Sequence, residues 1–137
     1  MKIDHIMYKE NLPPALRKYW GHQFSTGTRP GPDYLAFQAS YGRWLKRLFP
    51  DCKVDMHKNH YEFSAVITKS EEGKPDRHVY MSISDVRFWD REWAYNILIR
   101  TMRHAKDWTG GPNEYCQIDQ LRERVEALFD RMRGEAA

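Results

Sequence analysis

The sequence predicts an α+β fold in a single domain spanning residues 1–137, with a helix, a three-stranded antiparallel sheet, a covering helix and a C-terminal helix in that order. Three observations predict it. Apolar residues recur at three- and four-residue spacing over 34–48 and 121–132, the period of an amphipathic helix. They alternate with polar residues over 61–68 and 79–84, the period of a half-buried strand. A chain of 137 residues also buries enough apolar surface to fold without metal or disulfide staples.

Residues 1–32 read as an N-terminal arm, punctuated by Pro13, Pro14, Gly21, Gly27, Pro30, Gly31 and Pro32. Only Ala15 to Gln23 leaves room for a short helix, led in by the proline pair. Tyr8, Tyr19, Trp20 and Phe24 give the arm large side chains that a disordered tail lacks, so it is expected to pack across the body formed by 33–137.

The body opens with a helix from Asp33, a good N-cap, with Tyr34, Phe37, Tyr41, Leu45 and Leu48 as its stripe and Pro50 as its stop. Strands follow at Lys53 to Met56 and Tyr61 to Thr68, joined as a hairpin through His57-Lys58-Asn59-His60. A turn over 70–76 containing Gly73 and Pro75 leads to a third strand, with Val79, Met81 and Ile83 on one face. One face of such a meander needs a cover. Trp93, Ile97, Leu98, Thr101, Ala105 and Trp108 suggest a covering helix from about Asp90 to Asp107, stopped by Gly110-Gly111-Pro112. A last helix, about Ile118 to Arg133, places Leu121, Val125, Leu128 and Met132 on a seam that docks onto the core.

Charge is uneven along the chain, although the net value is only +3. Residues 1–50 carry eight Lys or Arg against three Asp or Glu, and 51–90 carry six against eight. Arg17, Lys18, Arg43, Lys46 and Arg47 form a candidate basic patch that would steer an anionic partner. The plainer account is a solvated face, with Arg43, Lys46 and Arg47 also favoured by the dipole at a helix C-terminus. No run approaches the roughly 18 apolar residues of a membrane helix. The start lacks a secretory h-region, so a cytoplasmic protein with no membrane partner is expected, with Cys52 and Cys116 as reduced thiols.

On the expected covering helix, Asn96, Arg100 and His104 are four residues apart and share a face, with Arg103 and Asp107 as a charge pair beside it. Arg suits bidentate binding of carboxylate or phosphate, and His switches charge near neutral pH. With Arg87 entering the helix, the expected recognition patch is Arg87, Asn96, Arg100, His104 and Asp107, flanked by Trp89 and Trp108 as stacking or anchoring aromatics. The alternative is the ordinary charged side of an amphipathic helix. No Ser or Cys stands in a nucleophile motif, and there is no P-loop, dinucleotide fingerprint or zinc-ligand spacing. No catalytic residue, metal or cofactor is therefore expected. A small enzyme would require Asp85, His104 and Asp107 in one pocket, or Asp51, Asp55, Glu62 and Asp85 clustered as a two-metal nuclease site. Asp55, His57 and His60 are the other conceivable metal ligands.

The predicted order of helix, three strands and helix is similar to the double-stranded-RNA-binding domain. That family opens its second helix with clustered lysines, whereas this stretch reads Trp89-Asp90-Arg91-Glu92-Trp93, so its RNA-binding residues are not carried over. A second resemblance rests on Ser82-Ile83-Ser84-Asp85-Val86-Arg87, Asn96-Ile97-Leu98-Ile99-Arg100-Thr101 and Asp107-Trp108-Thr109-Gly110-Gly111. Over residues 79–116 the chain resembles small proteins encoded by phages and prophages. The resemblance implies a non-catalytic binding protein of a mobile element. Inhibitors of host nucleic-acid-targeting defence complexes, including anti-CRISPR proteins that act by occluding a surface, are one such class. Its partner would be a protein or nucleoprotein complex. The second expectation is a direct nucleic-acid-binding accessory protein using the basic first half.

Overall fold

The computed structural model describes residues 6–20, 32–58, 62–84, 86, 89, 96–107 and 110–136. Its elements are α1 (Pro14–Arg17), α2 (Pro32–Leu48), β1 (Lys53–Lys58), β2 (Glu62–Lys69), β3 (Arg77–Ser84), β4 (Ile97–Met102), β5 (Glu114–Cys116) and α3 (Leu121–Ala136). Single 3-10 turns at Lys9–Asn11 and Ile118–Gln120 precede α1 and α3. The fold is α+β with an antiparallel sheet, but the sheet has five strands in the order β1-β2-β3-β4-β5, not three.

Strand β4 stands where the described part of the expected covering helix, 96–107, was to run, and β5 follows it. Residues 97–102 pair with β3 in register His78↔Met102, Tyr80↔Arg100 and Ser82↔Leu98, and β5 then pairs with β4 through Leu98↔Tyr115. Alternation explains the strand. Ile97 and Ile99 join the main core, while Leu98 and Met102 join a smaller apolar group on the other face. Both faces are apolar, so the run lacks the clean hydrophobic and polar alternation of a half-exposed strand. Gly110-Gly111 does not stop a helix; it lets the chain return beside β4, where the Gly111 N–H donates to the Thr101 carbonyl at 2.9 Å. A Cβ on Gly110 would run into that carbonyl, and one on Gly111 into the Thr101 hydroxyl. The meander also removes the likeness to a double-stranded-RNA-binding domain, since no helix occupies 96–107.

The remaining elements follow the sequence more closely. Helix α2 buries Phe37, Tyr41 and Leu45 on the face that carries the predicted stripe. Strand β1 runs two residues further than expected, placing His57 in the sheet, and the hairpin tip at 59–61 lies outside the described residues. Gly73 takes φ +75° in the β2–β3 turn, a conformation that glycine adopts without a Cβ penalty. Helix α3 buries Leu121, Val125, Leu128 and Phe129.

The core lies between the helices and one sheet face, where Phe63, Ala65, Ile67, Val79, Met81, Ile83, Ile97, Ile99 and Cys116 are buried. The arm belongs to it. Met7, Leu12, Leu16 and Tyr19 are all buried, and Tyr19 packs edge-on against Phe37 at 5.2 Å between centroids. Cys52 and Cys116 are free thiols. No helix among the described residues is long and apolar enough to cross a membrane.

Candidate functional site: an exposed basic face on the first two helices

The residues expected to form one recognition row are separated by the strand that carries them. Asn96 precedes β4 and is completely buried. Its Nδ2 donates to the Gln117 Oε1 at 2.9 Å and to the Ile6 carbonyl at 3.4 Å. Gln117 also donates to the Ile6 carbonyl and accepts from Asn11, so this amide cluster fastens the arm to the ends of β4 and β5. Arg100 projects from the sheet face opposite the helices, its guanidinium 4.2 Å from the Tyr80 ring centre and its Nη1 donating to Asn113 Oδ1 at 3.1 Å. His104 is exposed in the turn after β4, where its Nδ1 accepts from the Lys106 N–H.

Asp107 is buried in that turn and is structural. Its Oδ2 accepts from the Arg103 backbone N–H at 2.9 Å and from Arg103 Nε at 3.0 Å, closing the turn from 103 to 107. The Arg103 hydrogen bonds hold the Asp107 carboxyl down to about 2. The expected Arg103 and Asp107 pair is thus real, but it caps a turn and not a helical face. Trp89 is 3 % exposed, with its indole N–H donated to the Ser84 carbonyl and its ring edge-on to Phe37, so it is core and not a free aromatic. Arg87 and Trp108 lie outside the described residues.

The enzymatic constellations are not assembled by the described residues. Asp51 pairs with Arg122 at 2.9 Å and Asp55 with Lys53 at 3.7 Å; Asp85, His60 and the side chain of Glu62 lie outside the description. Asp51, Cys52 and Glu126 do bring three possible metal-ligand atoms within 4.8 Å of one another. Arg122 bridges Asp51 and Glu126, however, and Lys69 reaches Glu126 at 3.0 Å. Burial, with the neighbouring carboxylates, pushes the Cys52 thiol up to about 11, keeping it a thiol. The trio is a salt-bridge seam between α3 and the start of the sheet.

The basic residues, in contrast, are brought together. Burial of Leu16 and Tyr19 turns Arg17, the last residue of α1, and Lys18, its C-cap, outward. Lys18 lies over the Tyr19 ring at 5.3 Å, and the Tyr19 hydroxyl shares a 3.0 Å hydrogen bond with Ser40 of α2. Arg43 donates to the same Ser40 hydroxyl at 3.3 Å. Tyr19 and Ser40 therefore splice the two helices, carrying the basic surface from Lys18 to Arg43. Lys46 and Arg47 extend it by one helical turn. Arg17 donates to the Leu12 and Glu10 carbonyls. None of the five pairs with a carboxylate among the described residues.

The helix dipole favours Lys46 and Arg47 in the last turn of α2, and the end of that helix has a further cap. Arg122 of α3 donates to the Leu48 carbonyl at 2.8 Å. Lys46 and Arg47 thus remain exposed, with their ammonium and guanidinium groups in solvent. Sequence periodicity placed the α2 cations on one face; it gave no sign of Tyr19 and Ser40 as the splice, because that contact joins residues 21 apart. No protein-family model, curated protein or solved structure matches the chain.

Proposed function

We propose that this chain is a non-catalytic nucleic-acid-binding protein that holds phosphates on the basic face of α1 and α2. The observation that carries the reading is the set of cations spliced through Tyr19 and Ser40 with no carboxylate partner among the described residues. Several cations elsewhere are paired: Arg122, Arg124, Arg131, Lys69 and Arg77 all meet Glu or Asp, whereas Arg100 meets Asn113 and the Tyr80 ring. A face left unpaired in such a molecule is available for an anionic partner, and each phosphate neutralised releases counterions.

Fluorescence anisotropy with a DNA ligand tests the reading. With three to five phosphates engaged, log affinity should fall against log salt with a slope of roughly −2.7 to −4.5, and Arg43→Ala, Lys46→Ala and Arg47→Ala together should flatten it by about 2 to 3. Affinity that ignores salt, or a triple variant that binds like the parent, sinks the proposal.

A second reading keeps the phage-type expectation, with the same face occluding a protein or nucleoprotein surface of a host defence complex. It draws on Leu35, which is 51 % exposed on α2 and gives the charged face an apolar anchor. Capture of a defence complex that survives nuclease treatment and is lost in Leu35→Ala would favour it; capture abolished by nuclease would return the case to direct nucleic-acid binding.

A further inference from the structure

We infer that the ligand of this face is B-form duplex DNA, with the outer side of α2 seated in the major groove; the inference rests on the nucleic-acid reading above and adds the form of the ligand. The outer side of α2 is built in two halves. Leu35, Ala39, Gly42 and Lys46 follow one another at helical spacing, so the first half is small or apolar and the cations sit in the second. Leu35, Ala39 and Lys46 are exposed, and Gly42 is half-buried.

Gly42 is the informative residue. It lies in the interior of a 17-residue helix, where glycine is the poorest helix former after proline. Nothing among the described residues lies within 4 Å of a Cβ built there, so no packing among them requires the missing side chain. A bare backbone at a half-buried point on the outer side of a helix is useful where something outside must come close.

Dimensions and charge select the occupant. A helix with ordinary side chains is about 10–12 Å across, and the B-DNA major groove is about 12 Å wide. A ridge of Ala and Gly slims the entering side, so the helix can sink until Arg43, Lys46 and Arg47 reach the phosphates at the groove wall. Leu35 then meets the apolar surface that thymine methyl groups supply. A single strand has no groove to fill and would need only the charges. The A-form major groove of duplex RNA is too narrow and deep for side chains to read.

The test is anisotropy with a 20-base-pair DNA duplex, one of its strands and an RNA duplex of the same sequence, on the full chain and on Gly42→Leu, Ala39→Leu and Gly42→Ala. The expected result is duplex DNA bound at least about 10-fold more tightly than the other two, with Gly42→Leu and Ala39→Leu each losing about 10-fold for duplex DNA and little for the single strand. Gly42→Ala should bind duplex DNA more weakly than the parent and more tightly than Gly42→Leu. Circular dichroism checks that each variant is folded, and two leucine positions keep the result independent of either one. Equal binding of duplex and single strand with a steep salt slope would overturn the groove while leaving the phosphate reading intact. Tighter binding of the RNA duplex would overturn the B-form assignment. Salt-independent or absent binding to all three would remove both.

Discussion

At the scale of single residues, exposed polarity in the sequence turned into internal structure at two places. Asn96 reads as a contact residue because amides are commonly at surfaces, yet its side chain is fully buried and, with Gln117, holds the Ile6 carbonyl. Asn96→Ala should cost about 1–3 kcal/mol, the range for stranding buried hydrogen-bond partners, as a lower urea midpoint with an unchanged m-value. Nucleic-acid affinity should not move under native conditions. Asp107 gives a pH prediction. Its carboxyl is lowered from 3.8 to about 2, so its stabilising contribution is present above the unfolded value and is lost as pH falls towards 2. Thermal melts at pH 6, 4 and 2 should show the parent losing its advantage over Asp107→Asn across the lower interval. An advantage that stays constant with pH would sink the claim. The role of Asn96 was not legible in the sequence, because its partners Gln117 and Ile6 come from elsewhere in the chain; for Asp107 the pairing with Arg103 was legible and the turn it closes was not.

At the scale of elements, periodicity located α2, α3 and the first three strands but misassigned β4. The reason lies in the residues. Trp93, Ile97 and Thr101 fall four apart, as do Asn96, Arg100 and His104, so the segment satisfies a helical pattern on two sides at once. It also satisfies a strand buried on both faces, and the Ile-Leu-Ile run with Thr101 is the composition of such a strand. Tertiary pairing with β3 decides between the two. The Gly110-Gly111 pair is the check on this arrangement, since both glycines press against Thr101. Gly110→Ala should destabilise by about 1–3 kcal/mol through overpacking, measured by chemical denaturation. Gly42→Ala should do the opposite, adding about 0.5–1 kcal/mol, because a mid-helix glycine gains from alanine where space is open. The opposite signs separate a glycine required by close approach inside the chain from one that nothing among the described residues requires.

At the scale of the whole molecule, the arm and the two long helices cover one sheet face, and the basic surface faces away from it. The cations of the arm and of α2 were visible in the sequence as a charge excess; their union was not, because it depends on α1 packing beside α2. The arm is also part of the core. Leu16→Ala should therefore cost about 2–5 kcal/mol, as for a buried leucine anywhere in a core, and the same measurement on a tail that merely rests on the surface would give almost nothing. That substitution should weaken ligand binding as well, because Tyr19 and Lys18 lose their seat.

The arm's attachment has a consequence for the route by which the chain reaches this state. Every strand neighbours its predecessor, so the sheet can zip up one hairpin at a time, whereas the bond from Gln117 to the Ile6 carbonyl spans 111 residues of sequence. Closing so long a loop is entropically costly and brings its reward only after the sheet ends are in place. The clasp therefore forms late, after the main barrier. Asn96→Ala and Gln117→Ala should leave the refolding rate almost unchanged while accelerating unfolding, so stopped-flow chevrons would show the change on one limb only. In this molecule the clasp at Ile6 governs how long the folded state lasts more than how quickly it is reached.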